Sequence, residues 1–163
     1  MSESMLTIRE AADGAQRAQA LFRRRFGQAP PDFPHHVLAF HRGGDGSEVV
    51  VCYVHFTAMG DILLGGGACV DNRAMRDMAP ATRAAIRDAG GLYRMTLDWS
   101  VRHFAPTYAA IFGYCGDALA ERVDLAAGFR RTPHAHLLVH WTRALPGAEQ
   151  ARLLAQAHAI GPF

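Results

Sequence analysis

Several informative features are scarce in this sequence. It has only three cysteines, Cys52, Cys69 and Cys115, an odd number with no CxxC pair among them. That argues against a disulfide framework and fits reduced thiols in a cytoplasmic setting. No apolar run is long enough to span a bilayer, and no N-terminal stretch has the basic-then-apolar order of a signal peptide, so no membrane partner is expected. Charge of one sign is also scarce: the net charge is +2 over 163 residues. No basic stretch is interleaved with aromatics, so no nucleic-acid partner is expected either. Internal repeats and low-complexity tracts are missing.

What is present is an ordinary globular composition, 50% hydrophobic and 20% charged. The length predicts one domain over 1–163, burying roughly 70% of its unfolded surface without a disulfide or metal. Met5 to Arg9 reads as a strand. Asp13 caps a helix to about Phe26, with Ala15, Ala18, Phe22 and Phe26 on one face and Gly27 as its stop. Arg23, Arg24 and Arg25 suit that helix's C-terminus. Strands follow at Val37–His41, Glu48–Thr57 and Ile62–Val70, joined by short turns, which predicts an antiparallel meander. Asp71 to Ala85 has no clean period, although Pro80 can open a short helix. Leu92 to Phe104 is a helix with two apolar stripes, so cover is expected on both sides. A strand at Tyr108–Cys115, a helix capped by Asp117, a strand at His136–Trp141 and a helix at about 148–159 complete the order. Leu153, Leu154 and Ile160 on the last helix serve the domain itself or a homodimer contact. The fold class expected is α/β: a mixed central sheet of about six strands with helices on both faces.

Arg87-Asp88-Ala89-Gly90-Gly91-Leu92 precedes the long helix. A glycine pair before a helix lets backbone amides approach an anion, and the helix N-terminus adds positive potential. A helix stop explains the same glycines. Near the C-terminus, His134, His136 and His140 share strand parity and suggest a zinc or iron site. At strand rise, however, His140 stands roughly 13 Å from His136, too far for one metal.

The element order, with Arg87 and Gly90 ahead of the long helix and Gly128-Phe129 ahead of the last strand, resembles the GNAT superfamily of acyl-CoA N-acyltransferases. Members carry Gln/Arg-x-x-Gly-x-Gly/Ala at this helix start; here Leu92 stands at the last small position. The resemblance implies acetyl-CoA or another acyl-CoA as co-substrate and a small-molecule or peptide amine as acceptor. It implies a cofactor site at Arg87, Gly90, Gly91 and Leu92, an oxyanion donor near Cys69 or Val70, and a cleft where the fourth and fifth strands part. Nearest that cleft would be His55, Asp71, Tyr114 and Asp117, with Tyr114 as acid and Asp71 or His55 as base. Three departures stand out. The segment 71–85 intervenes before the phosphate loop, either as an insertion over the acceptor side or because the loop lies nearer Asn72–Arg76. Asp124 occupies the place of a tyrosine acid four residues before the Gly of Gly-Phe. Asp117 replaces a common asparagine. An inactive acyl-CoA-binding or partner-binding domain is the alternative these departures favour.

Overall fold

The computed structural model describes residues 5–32 and 34–163, so residues 1–4 and 33 of the expected 1–163 domain lie outside it. In chain order the elements are β1 (Leu6–Glu10), α1 (Gly14–Arg17), α2 (Gln19–Phe26), β2 (His35–Arg42), β3 (Glu48–Met59) and β4 (Ile62–Val70). Then come α3 (Asn72–Arg76), α4 (Pro80–Asp88), α5 (Leu92–Phe104), β5 (Ala110–Tyr114), α6 (Ala118–Ala126), β6 (Arg130–Arg131), β7 (Leu137–Trp141) and α7 (Gly147–Ile160). The strands form one sheet in the order β1-β2-β3-β4-β5-β7-β6. β1 to β4 are antiparallel neighbours, β4 and β5 are parallel, and β7 runs antiparallel to both β5 and β6. The mixed α/β sheet expected from the sequence is therefore present, with seven strands rather than about six. The extra one, β6, is a two-residue strand too short to carry a pattern.

β3 shows why the sheet needs cover on both faces. Val51 to Phe56 is a continuous buried run, as a central strand packed on both sides must be. Val54 and Phe56 join Leu97 and Phe104 of α5, with Phe129 and Leu138. Tyr53 joins Leu21 and Phe22 of α2 on the other face. That second face is shared: α1 and α2 cover the β2–β4 side, while Leu153 and Ala157 of α7 pack on Leu64, Phe112 and Val139. Leu153 and Leu154 thus serve the domain itself. On α5, Thr96 and Ser100 are fully buried, and each donates its hydroxyl to the carbonyl four residues back. This satisfies both groups inside the helix.

Three expectations need correction. The first helix is broken at Ala18 into α1 and α2, and Asp13 pairs with Arg17 at 2.8 Å instead of capping. The 71–85 stretch, read as having no clean period beyond a helix opened by Pro80, is largely helical. It folds as α3 and the start of α4; Met78 in the link between them and Ile86 of α4 are buried with Ala39, Cys52 and Leu92, widening the helical layer beside α5. His136 has a φ of 68°, so the polypeptide turns there and β7 begins only at Leu137.

Candidate active site

The sheet opens at one place. The parallel ladder between β4 and β5 runs from Ile62/Ala110 to Gly65/Gly113 and pairs nothing beyond. β4 nevertheless continues to Val70, held on its other edge by β3. A register shift between Tyr53 and His55 puts an extra residue into β4 at Gly67–Ala68. Such a bulge bends the strand and re-aims its edge. A cleft of about 280 Å³ fills the opening, lined on the β4 side by Gly65 to Ala68 and on the β5 side by Gly113 to Asp117. Side chains added at Gly113 or Gly116 would enter open space. A glycine inside a strand commonly marks such a close approach.

α5 and α6 close the cleft on one face. Tyr93 and Leu97 of α5 and Asp124 of α6 line it, with Arg25 and Phe26 from the end of α2. The Tyr93 hydroxyl donates to Asp124 Oδ1 at 2.5 Å. Burial pushes the Asp124 carboxyl up to about 6, although the Tyr93 bond works the other way. Burial, then the charge of Asp124, raises the Tyr93 phenol well above its ordinary value. A phenol already committed to a carboxylate is a poor proton donor, so this pair ties α5 to α6 and shapes the wall.

The residues singled out from the sequence divide into two groups. Tyr114 and Asp117 line the opening, and His55 of β3 stands behind its β4 wall, beside Gly66 and Gly67. Tyr114 ends β5, lines the cleft, and packs edge-on against Phe163 with ring centroids 6.1 Å apart. His55 is 4% exposed, and its ring lies where side chains on Gly66 and Gly67 would be, 2.6 and 2.8 Å from the Cβ positions. Burial, with a smaller contribution from His36, pulls it down to about 4, so it is neutral at pH 7. Asp117 caps α6 through the Leu119 amide while lining the cleft.

The second group lies elsewhere. Asp71 caps α3 through the Arg73 and Ala74 amides and pairs with Arg24 at 2.9 Å. Burial works to raise its pKa, but these partners outweigh it and hold the carboxyl low, which makes a weak base. Cys69 and Val70 continue the β3 ladder opposite Tyr53 and Cys52; the stretch of β4 bordering the cleft is Gly65–Ala68. Arg87 is exposed at the end of α4. The amides of Gly90 and Gly91 bond the carbonyls of Arg87 and Ile86. With φ values of 95° and 103° the two glycines stop α4. The amides that α5 leaves over for an anion are those of its first turn, Leu92 to Arg94.

Sequence reading missed Gly113, Tyr93 and Asp124 as lining residues. A glycine between Phe112 and Tyr114 in an otherwise bulky strand was the available signal for the first. The Tyr93–Asp124 contact joins residues 31 apart and had none. The histidines separate: His134 stacks on His158 at 3.5 Å, His136 Nδ1 meets the Cys115 carbonyl, and His140 packs on Phe129. Among the described residues no group of three histidine, cysteine or carboxylate side chains is placed to hold a metal ion.

The overall arrangement of sheet and helices is shared with solved structures. The ribosomal-protein-S18-alanine N-acetyltransferase from Escherichia coli superposes with a TM-score of 0.60 at 12% identity, over 88% of this chain and 97% of that one. The fold is that of the GNAT acetyltransferases. A GNAT family acetyltransferase from Brucella melitensis in complex with acetyl-CoA gives a TM-score of 0.50 at 14% identity, over 88% of this chain and 93% of the other. The KacTA–DNA complex contains a further GNAT-fold neighbour, with a TM-score of 0.50 at 14% identity, 93% of this chain and 99% of that chain. The exclusion of nucleic acid expected from charge therefore gains no support from the GNAT fold. No protein-family model and no curated protein sequence matches the chain. Among the described residues no helix is long and apolar enough to cross a membrane.

Proposed function

We propose that the protein is an acyltransferase that moves an acyl group from acyl-CoA, acetyl-CoA first among candidates, to a primary amine. The observation that carries this is the parting of β4 from β5 after Gly65 and Gly113, which leaves a glycine-walled cleft through the sheet. A pantetheine arm is narrow and needs a slot without side chains. The first-turn amides of α5 at Leu92 to Arg94 would face its pyrophosphate, with the helix dipole favouring the negative charge. Three free cysteines, two of them buried, support a reducing, cytoplasmic setting for this chemistry.

In the transfer the amine nitrogen attacks the thioester carbonyl carbon. The C–N bond forms, the C–S bond breaks, and sulfur leaves with its electron pair while nitrogen gives up a proton. Backbone amides of β4 between Gly66 and Ala68 border the position where the oxyanion would develop. Tyr114, placed at the end of β5, is the proton donor we assign to the departing thiolate. Neutral His55 accepts a hydrogen bond from the entering amine; an imidazole held near 4 positions an amine better than it stores its proton, so the proton that nitrogen releases passes through solvent and restores the Tyr114 phenol.

Thermal unfolding with acetyl-CoA and longer acyl-CoAs tests the reading. Binding at one hundred times Kd should add about 2.7 kcal/mol of stability. No shift with any acyl-CoA refutes it. Release of free thiol from acyl-CoA with an amine panel then separates a transferase from a domain that only binds.

A further inference from the structure

On the opposite face from Tyr93 and Asp124 lies a second cavity, of about 270 Å³. Leu64, Ile160 and Phe163 form its walls, and Gly66 is its inner end. Gly66 also lines the cleft, so the two cavities meet across a single strand at a residue with no side chain. The second one lies between β3, β4 and the end of α7, open to solvent on one side where Met59 and Ile160 form its rim. His55 and Thr57 are its polar side chains, and no arginine, aspartate or glutamate lines it.

From this juxtaposition we infer that the cavity beside His55 is the acceptor pocket and that it takes a primary amine carried on an uncharged aliphatic or aromatic body. The inference rests on the acyltransferase reading and adds the substrate class. Lacking a lining carboxylate, the cavity offers no counterion to a second ammonium group, which disfavours polyamines and aminoglycosides. Lacking a lining arginine, it offers none to a carboxylate, which disfavours free amino acids. An apolar body gains from burial against Leu64, Ile160 and Phe163. Its ammonium group, losing water at the Gly66 end, is biased toward the neutral nucleophilic form. The volume sits just below the usual range for drug-sized ligands, roughly 300–1,000 Å³, so the body is small.

The test is an n-alkylamine series, propylamine to heptylamine, with phenethylamine, spermidine and leucine beside it, assayed by thiol release from acetyl-CoA. Each added methylene should raise kcat/KM about fourfold until the cavity is full, and spermidine and leucine should be poor acceptors. Direct calorimetry of hexylamine with the CoA-loaded protein supplies a readout independent of turnover. Ile160→Asn and Met59→Asn put an uncharged polar group at rim residues that are 37% and 36% exposed. Each should weaken hexylamine binding tenfold or more and leave CoA affinity unchanged. A flat alkyl series, preference for spermidine, or CoA binding with no alkylamine turnover or affinity overturns this inference while the cofactor reading stands. Absence of CoA binding overturns the acyltransferase reading first.

Discussion

Replacing Asp124 by asparagine should stabilise the protein at pH 8, although the residue is buried and hydrogen-bonded. The native carboxyl titrates at about 6 because burial penalises its charge, whereas an unfolded chain ionises it near 3.9. The folded state thus holds its proton to higher pH than the unfolded one. The stabilisation that follows is full below about pH 4 and is lost as pH rises through about 6. By pH 8 the ionised group costs the fold on the order of 2 kcal/mol, after discounting the full shift for residual solvent screening. Asparagine keeps an acceptor oxygen for the Tyr93 hydroxyl without the charge. The Asn variant should therefore melt roughly 4–8 °C higher at pH 8, with the difference shrinking towards pH 4. Other titrating groups are common to both proteins and cancel. Urea unfolding of both forms at pH 4, 6 and 8 checks this. A variant less stable than the parent at pH 8, or a difference that does not change with pH, would refute the burial account of Asp124.

Gly113→Val should retain the strand and block the cleft, weakening coenzyme A binding at least tenfold by calorimetry, since the added side chain enters open space. Gly66→Ala places a methyl 2.6 Å from His55 Nε2; a loss of about 1–3 kcal/mol in urea unfolding is expected from the forced overlap. Gly90→Ala should cost about 1–3 kcal/mol through its φ of 95° and leave the coenzyme A affinity of the folded protein unchanged. Lost affinity there would move the phosphate site back to the glycine pair. In the native protein an aromatic disulfide reagent should label Cys115 first. Burial raises the thiols of Cys52 and Cys69 to about 11 and about 12, and equal labelling rates for all three would contradict that.

The legible parts of the fold were those with a repeating apolar pattern and a stop signal. α5 and β4 fall where the sequence places them, because Gly91 and Asp71 bound runs long enough to show a period. α3 was illegible since it is five residues long, whereas α4 showed only its start, at Pro80, because it buries Ile86 alone among its residues. The three-histidine strand was misread because His136 takes a left-handed backbone conformation that period-two counting assumes away. The site was harder still. Where a ladder stops pairing depends on register, and register is a property of two strands together. The glycine pair ahead of α5 carried a signal with two physical meanings, and only the direction of its amides decides between them.

The junction of β4 with β5 also has a kinetic side. Among the described residues it is the one parallel ladder of the sheet, and it joins positions 48 apart in sequence, Ile62 with Ala110. The meander on one side and the β5–β7–β6 unit on the other each close over shorter separations. Loop-closure entropy favours their forming first, so the seam between them is the last to zip and the first to loosen. Amide hydrogen exchange should accordingly report two cooperative blocks, with early exchange at their border.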